Sequence, residues 1–99
     1  MRVFDKPSTP NKLVKLEVCD SDEHPHNDRQ LEIVCNIFNF MVKNGEYKNI
    51  RDIGSFIITE DEDVMCRFWE VFRELYPNEK YRKLMFCFDC MFFYVDLDS

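Results

Sequence analysis

The sequence predicts a small α+β domain, mostly helical: one N-terminal strand followed by three to four helices in a single compact unit. Three observations carry this. The chain has 99 residues, an ordinary single-domain size. Apolar residues make up 45% of it, ample for a core and too many for a disordered chain. One alternating stretch near the start then gives way to stretches with helical spacing.

Residues 1–11 are polar with two prolines and read as a flexible tail, ahead of a domain over 12–99. In "KLVKLEV", Val14, Leu16 and Val18 alternate with Lys15 and Glu17, the period of a half-buried strand. "CDSDEHPHND" (19–28) reads as a charged loop whose Asn27 or Asp28 caps a helix. From Leu31 to Asn44 the polar residues Glu32, Asn36, Asn39 and Lys43 form one narrow stripe, and the rest of the helix is apolar. Asn44-Gly45 stops it, because Gly takes a left-handed cap without strain. Tyr47, Ile50, Ile53 and Ile57 suit a short helix ending near Gly54.

In "TEDEDVMCRFWEVFRELYP", Thr59 with Glu62 reads as a capping box, and the acidic run suits the helix dipole. Val64, Met65, Phe68, Val71, Phe72 and Leu75 form its core stripe, and Pro77 ends it. Tyr81, Leu84, Met85, Phe88, Met91, Phe92 and Val95 recur at helical spacing, which predicts a last helix capped by Asn78. The rival is a pair of strands, since Phe, Tyr and Val favour sheet.

Composition narrows the function. Net charge is −6 and the isoelectric point about 4.8, so nucleic acid, which wants a basic face, is a poor partner. The compact basic groups are Lys80, Arg82 and Lys83, and Lys12 with Lys15. The first residues lack the apolar core of a secretory signal. "LMFCFDCMFFYV" (84–95) is too short for a membrane span and carries Asp89 in its middle. Together with five cysteines, an odd number, these features predict an intracellular protein, cytoplasmic or nuclear, with reduced thiols. Ala is absent, and Phe, Tyr, Met, Ile, Asn and Lys, all with AT-rich codons, are abundant, a composition that suits many viruses and some parasites and insects.

Catalytic signatures are missing: there is no G-x-S-x-G and no phosphate-binding glycine loop, and Gly occurs twice in all. The prediction is therefore a non-enzyme. Cys87 and Cys90 form a C-x-x-C, which a helix would hold in its middle turns, away from the N-terminal dipole that a redox pair uses. With Cys19 and with His24 or His26 the pair could complete a zinc tetrahedron, but the spacing is not a finger spacing. No cofactor is expected, with zinc through Cys19, His24, His26, Cys87 and Cys90 as the alternative.

An apolar surplus is the most informative feature. Trp69, Arg73 and Tyr76 lie off the core stripe of one helix; Arg82, Phe86 and Phe93 do so on the last. Trp, Tyr and Arg are enriched at interface hot spots. These six residues are the predicted partner-binding set. The expected function is a small adaptor or regulatory protein, in the manner of a viral accessory protein, that dimerises or holds a host protein. A zinc-stabilised binding module and, more weakly, a nucleic-acid-binding regulator through Lys80, Arg82 and Lys83 are the alternatives.

Overall fold

The computed structural model describes residues 3–6, 14–19, 28–88 and 90–98. The element order is β1 (Val3–Lys6), β2 (Val14–Cys19), α1 (Asp28–Lys43), α2 (Ile50–Ile58), α3 (Glu62–Leu75), β3 (Tyr81–Cys87) and β4 (Phe92–Leu97). The strands form one sheet in the order β1-β2-β3-β4. β1 and β2 are antiparallel, β2 and β3 parallel, β3 and β4 antiparallel. A parallel pair needs a long crossover, and all three helices lie in the one between β2 and β3.

This corrects the expected architecture of one strand followed by three to four helices. Helical spacing predicts a helix over 81–95, but the structure has three helices and then a C-terminal antiparallel strand pair, β3 and β4. The reason lies in the burial. Leu84, Phe86 and Val95 join the main core with the helices, while Met85, Cys87 and Tyr94 form a second buried cluster with Leu31 and Cys90 against it. Neighbouring residues of one strand are thus buried on opposite faces, so the strand reads as a continuous apolar run. Such a run fits a period of 3.6 as readily as a period of 2. β1 falls inside the segment read as a tail, and Asn27 lies outside the described residues.

The helices are closed by local chemistry. The stripe Glu32, Asn36, Asn39 and Lys43 is exposed on α1, as its spacing predicts. Gly45, at φ 76°, ends α1 in a Schellman motif: its N–H donates to the Val42 carbonyl (3.0 Å) and that of Glu46 to the Met41 carbonyl (3.1 Å). Asn49 caps α2, its side chain accepting from the Asp52 N–H at 2.9 Å. α2 runs through Gly54 rather than ending there. A Cβ at that position would meet Phe93 Cε2 at 3.0 Å, so the glycine lets β4 approach the helix closely. The cap of α3 is Asp61, not Thr59: the Asp61 carboxylate accepts from the N–H groups of Asp63 and Val64. Thr59 instead closes α2, its hydroxyl donating to the Phe56 carbonyl at 3.0 Å.

Candidate functional site

β3 ends at Cys87 and β4 begins at Phe92, and Met91, just before β4, has φ 57°. Phe88, Met91 and Phe92 are exposed, Met91 to 69%. Exposed Ile50 and Phe56 stand on α2. A groove of about 550 Å³ runs between α1, α2 and this hairpin tip. Val34, Cys35 and Phe38 form its α1 wall; Ile50 and Ile58 come from α2; Met91 and Phe92 form the rim from the hairpin. Phe86 and Phe93 close its floor beside Gly54, their ring centroids 4.8 Å apart. Arg51 and Ser55 are polar groups on its edge. A second, shallower hollow lies beyond Ile50 and Arg51, beside Lys48 and Asn49.

The six residues predicted to bind a partner are not brought together. Trp69 is fully buried: it stacks on Tyr81 at 4.2 Å and meets Phe68 and Phe72 edge-on. α3 packs against both other helices and against β2, so a residue off its main stripe still lies inside. Phe86 is buried too, between Phe88 and Phe93. Tyr76 is half-buried: its hydroxyl accepts from Asn36 Nδ2 at 2.7 Å, and the Arg29 guanidinium stands 5.5 Å from its ring. Arg29 in turn reaches Glu79, its Nε donating to Oε1 at 3.2 Å. Arg73 is half-buried in the last turn of α3. Arg82 is exposed on β3, 3.7 Å from the Asp96 carboxylate. Phe93, half-buried, is the member of the set that lies at the groove with part of its ring accessible.

No protein-family model, curated protein or solved structure matches this chain. The site therefore stands on its own geometry.

Ile50, Phe56, Phe88, Met91 and Phe92 escape the sequence-level site. Phe88, Met91 and Phe92 fall on the core stripe of a helix but at the open end of a hairpin, so the change of period exchanges inside for outside. The one signal in the sequence is Asp89, a charged residue in the middle of an otherwise apolar run.

Of the metal candidates, Cys19 is the last residue of β2, Cys87 is the last of β3, and Cys90 follows in the turn. Cys19 and Cys87 are register partners. The Cys90 N–H donates to Cys87 Sγ at 3.5 Å. His24 and His26 lie outside the described residues. Among the described residues no group of three His, Cys, Asp or Glu side chains is placed to hold a metal, and no helix is long and apolar enough to cross a membrane.

Proposed function

We propose that this is a non-enzymatic intracellular adaptor or regulatory protein, and that it works by protein–protein contact through the groove between α2 and the hairpin tip. The observation that carries the reading is the row Ile50, Met91 and Phe92, large apolar side chains left exposed around a groove whose floor is aromatic. Each is already partly covered, so completing its burial would gain on the order of 1 kcal/mol. Contiguous exposed apolar surface of this kind marks interaction sites. Phe88 extends the patch through its edge-on contact with Phe86. Arg51 on the edge adds a charged rim group, the usual surround of an apolar interface centre.

The partner is a second copy of the chain or another protein. Sedimentation of the full chain over a range of concentrations, with a pull-down from native cells, tests both. Met91→Asp and Phe92→Ser should abolish dimerisation and partner capture while leaving the circular dichroism spectrum unchanged. Unaltered dimerisation and capture in both variants would sink the reading.

A further inference from the structure

We propose that the groove takes an acidic amphipathic helix of another protein, whose apolar side chains enter between α1, α2 and the hairpin tip and whose carboxylates meet Arg51 and Lys48. This rests on the reading of the groove as an interaction site and names the chemistry of what fills it. The walls select a helix. Ile50, Arg51, Gly54, Ser55 and Ile58 all line the groove, and they stand at i, i+1, i+4, i+5 and i+8 of α2, one face over two turns. At the rise of an α-helix that face is about 12 Å long. Ile50 and Ile58 stand at its ends, with only Gly54 and Ser55 between them on the side of the floor. Val34 and Phe38, one turn apart on α1, form the opposite wall. A helix lying along such a trough fills it with anchors at i, i+3 or i+4, and i+7.

The charge selects acidity. Arg51 lines the groove and, with Ile50, also lines the hollow beside it, where Lys48 stands. Both cations are exposed, and among the described residues neither forms an ion pair. No described Asp or Glu lines either hollow, although the chain carries 19 acidic residues against 13 basic ones. A local basic rim on an acidic protein complements a segment with carboxylates beside its apolar anchors. Two copies meeting groove to groove would set Arg51 and Lys48 of each against a lining without carboxylates, so a symmetric dimer leaves these charges unmatched. A bilayer surface is flat, and a floor recessed between two helices and a hairpin lies out of its reach.

Selection of phage-displayed helical peptides on the immobilised full chain tests this, because the enriched sequences report the chemistry that the groove accepts. They should carry apolar anchors at i, i+3 or i+4, and i+7 with Asp or Glu beside them. A synthetic peptide of the enriched sequence should shield Cys35, exposed on the α1 wall, from alkylation, and leave the reaction of Cys66 on α3 unchanged. Replacing both exposed cations, Lys48→Glu with Arg51→Glu, should weaken that peptide by about tenfold and turn the selection towards basic sequences. Neutral or basic sequences that are enriched on the wild type and lost on Met91→Asp would overturn the acidic helix and leave the groove standing. No enrichment at all, or binding indifferent to Met91→Asp, would overturn both. Dimerisation of the chain, or its binding to vesicles of phosphatidylcholine and phosphatidylserine, if abolished by Met91→Asp, would give the groove to a second copy or to lipid instead.

Discussion

Two helix ends in this protein solve the same problem with different residues. Gly45 after α1 and Glu60 after α2 both adopt positive φ, 76° and 68°, and both head Schellman motifs. After α2, the Glu60 N–H donates to the Ile57 carbonyl and that of Asp61 to the Phe56 carbonyl. The left-handed conformation costs a side-chain-bearing residue about 1–2 kcal/mol and glycine almost nothing. Glu60→Gly should therefore stabilise by about 1 kcal/mol, and Gly45→Ala should destabilise by a similar amount although nothing lies within 4 Å of the added Cβ. Urea unfolding reads both as opposite shifts in midpoint at constant slope. Gly54 is a different case, a glycine kept for space. Gly54→Ala gains about 1 kcal/mol of helix propensity. It also presses on a Phe93 ring wedged between Phe38 and Phe86, and the expected net effect is destabilising. In a Phe93→Leu background the same change should turn stabilising, and that reversal in a double-mutant cycle checks the contact.

At the scale of elements, α3 depends on its first turn. Asp61 satisfies two N–H groups there, so Asp61→Ala should cost about 1 kcal/mol. Thr59→Ala, which removes only a hydroxyl bond at the end of α2, should cost less. The α1–α2 connection is tied to α3 by Glu46, whose carboxylate accepts from Arg67 Nε at 2.6 Å and Nη2 at 3.0 Å. That hydrogen bonding, then the Coulombic attraction of Arg67, holds the Glu46 carboxyl below its usual range despite some desolvation. A carboxyl held low in the folded state contributes stability above its unfolded value, and the contribution is lost as pH falls through the folded one. Arg67→Met should thus cost about 0.5–1 kcal/mol at neutral pH, the range for a partly exposed pair, with the difference vanishing under acid conditions. α1 and α3 were legible because each has a solvated stripe or an acidic run at its start that breaks the apolar signal, as Glu32, Asn36, Asn39 and Lys43 do on α1, whereas α2, which has neither, reads in the sequence as ending near Gly54 but runs on to Ile58. β3 and β4 were not, because Leu84, Met85, Phe86 and Cys87 are buried on alternate faces and carry no solvated phase at all. With the element type goes the site: Phe88, Met91 and Phe92 change from core to surface, and Phe86 from surface to core.

Over the whole molecule, the aromatic surplus divides into two populations that a sequence cannot sort without the sheet. Phe38, Phe68, Trp69 and Phe72 form a connected interior with Tyr81, held by edge-on and stacked rings. Phe88 and Phe92 stand outside it. The two populations should respond in opposite ways to truncation. Trp69→Ala removes a fully buried ring, and large-to-small changes of this kind cost about 3–5 kcal/mol. Against a total stability of about 5–15 kcal/mol for a domain of this size, that leaves a marginal or unfolded chain. Phe92→Ser removes a ring already half in water and should shift stability by no more than about 0.5 kcal/mol. Thermal melts followed by near-ultraviolet circular dichroism separate them. Trp69→Ala should lose the aromatic signal and most of the transition. Phe92→Ser should keep both and lose only its binding. If instead Trp69→Ala melted like the wild type, the ring would be a surface group and the interior described above would be incorrect. If Phe92→Ser unfolded the chain, the hairpin tip would belong to the core, and the groove beside it would lose its standing as a place for a partner.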